Sequence, residues 1–289
     1  MDHDERAALL TPQLAHTLIV EQYPQWADLP VELVVPGGHD NRTFRLGDEL
    51  TIRLPTDDGY VAGELKEHEW LPRLAPQLPL PIPDVVAVGS PSPLFPRPWS
   101  VRRWIPGETA DPARLGDPVG FARDLPGFLL ALRAADATGG PAAGAQSFYR
   151  GADPAAYDAQ TRETIVELRD ETDVGLVTGI WDRALASSWD RPPVWFHGDI
   201  ASGNLLVADG RLAAVIDFGT SGVGDPACDV VIAWTFLRGR ARCAFREALG
   251  ADEGVWARGA GWALWKALIT GDLVTLREVL DDPNVNGAG

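Results

Sequence analysis

Apolar and polar positions along this chain follow two different periods. Residues 11–29 carry apolar side chains at helical spacing, and Thr11 followed by Pro12 supplies a cap and a first turn. From Val31 to Leu54 the period shortens. The runs VELVV, NRTFRL and LTIRL are β-type and are separated by PGGHD and GDE, which predicts an antiparallel meander. Residues 62–75, AGELKEHEWLPRLA, return to helical spacing as far as Pro72, with the stretch beyond it open. A proline-rich segment follows, then two further strand candidates, VVAVG and PWSVRRWI. After PGETADP helices dominate. Their N-termini are expected at Asp117-Pro118, Asp153-Pro154, Asp173 and Asp225-Pro226, since Asp caps free amides and Pro suits the first turn. The longest apolar run, VVIAWTFL from Val230 to Leu237, reads as a buried helix.

This pattern predicts an α+β chain of two lobes. Residues 1–103 form a β-rich lobe with an antiparallel sheet and a helix, and residues 104–289 form a mostly helical lobe. The extended segment VRRWIPGE joins them, and a cleft at such a joint is the natural place for a ligand.

The most informative stretch is VWFHGDIASGNLLVADGRLAAVIDFGTSGVGDP, Val194 to Pro226. Asp209-Gly210 between two apolar runs predicts a hairpin with a two-residue turn. Counting outward pairs Ala208 with Arg211 and Val207 with Leu212, until Asn204 faces Val215. Asp217 then projects on the face of Val215, a diagonal neighbour of Asn204 at roughly 7–8 Å. Two oxygen side chains so placed can share one hard cation about 2.1 Å from each. Asp199, in the loop HGDIASGN, lies beside that cation without ligating it. A hard-metal site with a free carboxylate next to it is the equipment of phosphoryl transfer: the metal offsets phosphate charge, and the carboxylate orients an acceptor hydroxyl and takes its proton. Asp199 is therefore the candidate catalytic group, and Asn204 and Asp217 are the candidate metal ligands. Each residue alone has a plain structural role as turn former, loop polar group or strand-end cap; the combination and its spacing carry the reading.

Composition narrows the class. An apolar fraction of 45% and 11 tryptophans point to a globular chain. No apolar run approaches the roughly 18 to 20 residues of a membrane helix. The opening MDHDERAALL is acidic where a signal peptide is basic and then apolar, so a cytoplasmic location is expected. Cys228 and Cys243 form neither a disulfide framework nor a metal spacing and read as two buried thiols. A formal charge of −16 argues against nucleic acid and is compatible with a cationic small molecule. Lys66 and Lys266 are the only lysines, so arginine supplies almost all the positive charge.

HGDIASGN followed by IDFG resembles the catalytic and metal loops of the aminoglycoside phosphotransferase and choline kinase-like family, relatives of the protein kinases. Protein kinases carry His-Arg-Asp, an Asn five residues after the Asp, and then Asp-Phe-Gly. Here Gly198 replaces the arginine, as in small-molecule kinases, and the absence of activation-loop architecture after IDFG weighs against a protein substrate. The resemblance implies a bilobal protein-kinase-like fold, Mg2+ as the metal, and ATP or GTP as the phosphate donor. It implies that Gly37 and Gly38 cover the phosphates, where glycine lets backbone amides approach an anion. Asn41 and Arg42 are open to phosphate contact or to lining that turn. Arg53, in LTIRLP, stands where the family carries lysine. Arg presents a planar fork and Lys a point charge, so altered geometry rather than lost activity is expected. Its carboxylate partner on ELKEHEWL is Glu67, with Glu64 one turn earlier as the alternative. Arg103, Trp104 and Ile105 flank the purine. His197 is a structural support, and Asp229 resembles the buried aspartate that braces the catalytic loop.

The acceptor site is expected on the helical half, facing Asp199. Asp153, Asp158, Glu163 and Glu253 are candidate carboxylates there, and Trp234, Trp262 and Trp265 are candidate stacking surfaces. The leading acceptor is a hydroxylated, cationic small molecule of the aminoglycoside antibiotic type. Homoserine, fructosamine, choline and macrolide kinases share the motifs and remain alternatives, as does a cation-binding aromatic cage. Arg53 keeps a further reading open, a nucleotide-binding pseudokinase without turnover.

Overall fold

The computed structural model describes residues 3–35 and 37–286, with His3 and Asp4 described by backbone alone. The chain divides into two compact units. The first runs through Pro76 and adds Pro81–Pro106 and Asp217–Gly219; the second takes Gln77–Leu80, Gly107–Ile216 and the chain from Thr220 onward.

The first unit is built on an antiparallel sheet of five strands, β1 (Val31–Leu33), β2 (Asn41–Leu46), β3 (Leu50–Pro55), β4 (Val85–Gly89) and β5 (Trp99–Arg103), in the order β1-β2-β3-β5-β4. The expected meander is present: β2 pairs with β3 from Asn41↔Pro55 to Leu46↔Leu50. Strand alternation gives this sheet two different faces. Phe44, Leu46, Ile52, Leu54 and Val101 point one way and pack with Leu18 and Ile19 of the helix Pro12–Gln22. Complete burial of such a side chain contributes about 1.5–3 kcal/mol. Thr11 caps that helix, its hydroxyl accepting from Leu14 N at 3.2 Å. The helix ends sooner than the periodicity predicts, because Pro24 opens a separate 3-10 turn, Pro24–Trp26. On the other sheet face Arg53, Ser100 and Arg102 meet the helix Val61–Leu74, which continues past Pro72.

The second unit is mostly helical. Asp117 and Asp173 cap the helices Pro118–Ala134 and Val174–Leu185, accepting from Gly120 N at 2.8 Å and Leu176 N at 3.0 Å. Asp153 and Asp225 cap 3-10 turns in the same way. Trp181, Trp195, Trp234, Trp256 and Trp262 are fully buried, so the tryptophans are mainly core. The run VVIAWTFL is buried as expected but is not one helix. It comprises the end of a 3-10 turn, Pro226–Val231, and the short helix Ile232–Thr235. In that tighter winding Asp229 turns its carboxylate onto the backbone of His197 and Gly198. Cys228 is buried, and burial pushes its thiol well up. Cys243 corrects the expectation of two buried thiols: it lies on the solvent side of the helix Gly239–Leu249. No helix among the described residues is long and apolar enough to cross a membrane.

Gly89 lies opposite Trp99 in the sheet, and a Cβ there would fall 1.9 Å from the buried indole. Gly89→Ala is therefore expected to cost about 3 kcal/mol, read as a lowered midpoint in denaturant unfolding.

Candidate active site

In the second unit, which also holds the short strand β6 (Glu108–Thr109), the loop HGDIASGN leaves β7 (Val194–Phe196), which with β10 (Gly222–Gly224) forms a two-stranded ribbon. Asp229 is buried and accepts from His197 N at 3.0 Å and Gly198 N at 2.8 Å. Burial raises its carboxyl above the ordinary value, against the pull of those two amides. The His197 ring is buried and uses both nitrogens: Nε2 donates to Ile216 O at 3.1 Å, and Nδ1 accepts from Asp199 N at 3.2 Å. A single neutral tautomer satisfies both bonds. Gly198 has φ +85, and a Cβ on it would lie 2.8 Å from Thr220 O, which accounts for glycine in HGD.

Asp199 itself is half-buried. The Asn204 amide nitrogen donates to its main-chain oxygen and to Oδ2, both at 2.9 Å, and Lys266 Nζ lies 3.5 Å from Oδ1. Those bonds orient the Asn204 amide so that its nitrogen faces Asp199 and its oxygen faces away.

The hairpin that follows, β8 (Leu205–Ala208) and β9 (Arg211–Val215), has the predicted turn, with Asp209 at φ 51 and Gly210 at φ 74. Its register starts as counted, Ala208↔Arg211 and Val207↔Leu212, and then slips. A bulge between Leu206 and Val207 makes Leu205, not Asn204, the partner of Val215. Asn204 ends the 3-10 turn Ser202–Asn204 and accepts from Ile216 N at 2.9 Å. The diagonal-neighbour argument is corrected accordingly: the bulge takes up one residue, and Asp217 leaves the strand in a left-handed conformation at φ 67.

In the first unit a charged cluster fills the polar side of the sheet. Arg53 Nη1 donates to Glu67 at 2.7 Å and Nη2 to Asp217 at 2.6 Å, and Glu64 is 3.7 Å from Nε. With the Asn41 amide oxygen turned toward Arg53, it accepts from Nε at 3.1 Å and Nη2 at 2.8 Å. Arg102 bonds Glu64 at 2.7 Å and Glu67 at 3.0 Å, and the other Glu67 oxygen accepts from Phe218 N at 2.7 Å. So both expected partners, Glu67 and Glu64, are engaged. Burial alone would push these carboxyls up, but Arg102 first and Arg53 with it hold both below the usual carboxylate range. Arg53 is likewise raised: burial opposes its charge, and Glu67, Asp217 and Glu64 more than offset that.

Other predicted residues fall as follows. A Cβ on Gly37 or Gly38 would meet nothing closer than 3.5 Å, so the chain itself does not demand glycine at either position. Arg103 N and Trp104 N donate to Asp84 O and Glu49 O, and the Trp104 ring lies 4.0 Å under Arg45. The Arg103 side chain pairs with Asp84, and Ile105 is half-buried. Arg102 and Lys266 were not singled out from the sequence. Arg102 hides in a run that reads as hinge, and Lys266 is distant in sequence from Asp199; the rarity of lysine was the only signal.

The sequence matches the phosphotransferase enzyme family (APH) over residues 32–267. The chain belongs to that family. It is a small-molecule kinase with the protein-kinase-like α+β fold of the aminoglycoside phosphotransferases. A comparison with curated proteins finds no match. Among solved structures it resembles the GDP complex of wild-type aminoglycoside 2'-phosphotransferase-IIIa, at 19% identity over 96% of this chain and 100% of that one, TM-score 0.71. It also resembles the streptomycin–ATP–APH(2'')-IIa ternary complex, at 17% identity over 93% and 96%, TM-score 0.61. A third likeness is to the macrolide 2'-phosphotransferase MphH from Brachybacterium faecium, apoenzyme, at 22% identity over 95% and 98%, TM-score 0.58. These identities carry the fold and not the substrate.

Magnesium is the metal the family implies, and the donor chemistry fits it. Asn204 offers an amide oxygen, and Asp217 keeps Oδ2 beyond the oxygen held by Arg53. The described residues contain no cluster of three or more His, Cys, Asp or Glu that could hold a metal. Magnesium needs none, since it commonly takes one or two protein oxygens and completes its shell with water and phosphate.

The buried cluster makes a stability prediction. Glu64 and Glu67 have folded pKa values below the unfolded 4.5, so their contribution is present above that pH and is lost as pH falls through the folded values. Arg102→Met leaves both carboxylates short of a partner and is expected to cost about 3–5 kcal/mol at neutral pH. The acid-unfolding midpoint, followed by circular dichroism, should move upward.

Proposed function

We propose that this phosphotransferase moves the γ-phosphoryl group of ATP or GTP to a hydroxyl of a small molecule, with Asp199 as the catalytic carboxylate. The carrying observation is the setting of Asp199: its backbone is fixed by His197, its Oδ2 by Asn204, and its Oδ1 faces Lys266 at the surface. Asp199 Oδ1 orients the acceptor hydroxyl and receives its proton as the oxygen–phosphorus bond forms and the bond to the leaving nucleoside diphosphate breaks. Asn204 and Asp217 are the residues assigned to the metal. Magnesium, when bound there, offsets the charge of the phosphates. Arg53 supplies a cation to the α- and β-phosphates, with Glu67 holding its fork. Gly37, Gly38 and Asn41 are assigned to the phosphates, and Arg103, Trp104 and Ile105 to the base, where the Arg103 and Trp104 amides are already engaged within the chain. Asp229 and His197 act through Asp199 and touch no substrate.

Acceptors of the aminoglycoside type, favoured by the charge of −16, and of the macrolide type are the classes to test first. We place the reaction in the cytoplasm and assign no nucleic-acid, membrane or obligate protein partner.

One observation favours a second reading, nucleotide binding without turnover. Arg53 already gives its Nη groups to Glu67, Asp217 and Asn41, so a phosphate must compete with partners inside the chain.

Two variants separate the assignments. Asp199→Ala is expected to lower magnesium-dependent phosphoryl transfer by roughly 10²–10⁴-fold while nucleotide affinity, measured by calorimetry, stays within about twofold. Asp217→Ala is expected to weaken magnesium-nucleotide binding itself, by about tenfold or more. Near-normal turnover in Asp199→Ala would remove the catalytic assignment. Nucleotide binding by the wild type with no ADP released against any acceptor would establish the second reading.

A further inference from the structure

The helical unit sets around Asp199 a group of side chains that phosphoryl transfer does not use. Lys266, near the end of the helix Glu253–Thr270, holds its ammonium 3.5 Å from Asp199 Oδ1 and keeps 38% of its side-chain exposure. Arg150 packs against the catalytic turn so closely that a Cβ on Gly198 would lie 3.3 Å from its own Cβ. The Arg150 guanidinium lies over the Trp265 ring at 5.1 Å, and Trp265 in turn stacks on Tyr157 at 4.3 Å. Lys266 therefore borders the carboxylate itself, and Arg150 borders its loop, backed by the buried Trp265 ring and the half-buried Tyr157.

The two residues before Arg150 extend this surface. Phe148 and Tyr149 are consecutive non-glycine residues in the left-handed region, at φ 49 and 58, and they stay 43% and 44% exposed. That conformation costs backbone energy and is held in place by other groups. Buried Ser147 donates to Arg150 O at 2.8 Å, and Tyr157 donates to Phe148 O at 3.0 Å. Strain that exposes two large rings gains nothing from core packing, and observed strain of this kind clusters where a ligand is gripped.

Two of the four carboxylates expected to receive an aminated acceptor are committed elsewhere. Asp153 caps Ala155 N, and Asp158 takes Trp181 Nε1 at 2.7 Å and Arg162 at 2.8 Å. Glu253 opens the helix whose far end carries Lys266, about 20 Å away along its axis. Glu163 is exposed on the helix Asp158–Glu167. Trp234, Trp262 and Trp265 are all buried, and Trp265 alone of the three backs the Arg150 guanidinium.

We propose that this surface is the acceptor platform, and that it selects a hydroxylated molecule with a broad apolar face and at most one positive charge. The inference rests on Asp199 being the catalytic carboxylate and narrows the acceptor it serves. Aromatic faces pack against the apolar face of such a molecule, while Lys266 and Arg150 repel a multiply charged amine brought up to Asp199.

Calorimetric binding of erythromycin, which carries one amine on a broad macrolide, and of kanamycin, a polyamine sugar, tests this on the intact protein. The wild type is expected to bind erythromycin at least tenfold more tightly than kanamycin. Lys266→Glu is expected to shift that ratio at least tenfold toward kanamycin, and Tyr149→Ala to weaken erythromycin alone, at least threefold. Equal or tighter kanamycin binding by the wild type, no binding of either probe, or a ratio unmoved by Lys266→Glu overturns the platform. ADP release in Asp199→Ala, assayed in parallel, keeps the two levels apart: preserved turnover sinks the role of Asp199, whereas its loss with kanamycin preferred sinks only the acceptor class.

Discussion

Burying two carboxylates side by side under a β-sheet is the demand that organises the first unit. Neither Glu64 nor Glu67 retains appreciable exposure, and an uncompensated pair of such charges is not sustainable in a low dielectric. The sheet answers with arginines from adjacent strands: Arg53 on β3 and Arg102 on β5 project on the same face and converge on one oxygen of each carboxylate. Glu67 is the hub. One of its oxygens binds both guanidinium groups, and the other receives the amide of Phe218. The segment Asp217–Gly219 is thereby tied to the helix Val61–Leu74, and Asp217 meets Arg53 as a consequence. Arginine suits this position because a single planar fork reaches Glu67 with one nitrogen and Asp217 with the other.

The second unit solves a different problem, holding a short irregular loop still without burying the Asp199 carboxylate. Regular strand pairing stops at Phe196, so the next amides need partners from elsewhere. Asp229 supplies them to His197 and Gly198, and the His197 ring spans from Ile216 O to Asp199 N. The left-handed turn at Gly198 lets the chain reverse against Thr220. Every one of these contacts acts on the backbone, so the Asp199 side chain stays half-exposed while its base is rigid. Preorganisation of this kind is what general-base chemistry requires of its scaffold.

Much of this was readable in advance because it rests on short-range rules. Asp-Gly named the turn, Asp-Pro named the caps, and alternation along LTIRL named the two faces of β3. What escaped reading depends on the third dimension. The bulge at Leu206 leaves no mark in an even run of apolar residues, so counting from the turn placed Asn204 one position out. Arg102 lies beside Arg103 in sequence, yet the pleat sends one into the carboxylate cluster and the other to Asp84 at the surface. Lys266 and Arg150 meet the loop of Asp199 only because helix and loop packing bring them there. Side chains that converge from remote segments are the part of a site that local pattern cannot announce.

The acidity of the whole chain and the cations around Asp199 act over different ranges, and the distinction matters for what this enzyme accepts. A formal charge of −16 spread over the protein raises the local concentration of any cation and favours its encounter. That field is screened within about 8 Å at physiological ionic strength. Lys266 stands well inside that distance of Asp199 Oδ1, at 3.5 Å, where contact charge and shape act directly. In the proposed platform net composition governs arrival, and the side chains beside Asp199 govern selection. An acidic protein can hold a lysine beside a half-exposed carboxylate without contradiction, and in the proposed platform that lysine limits how much positive charge an acceptor brings to Asp199.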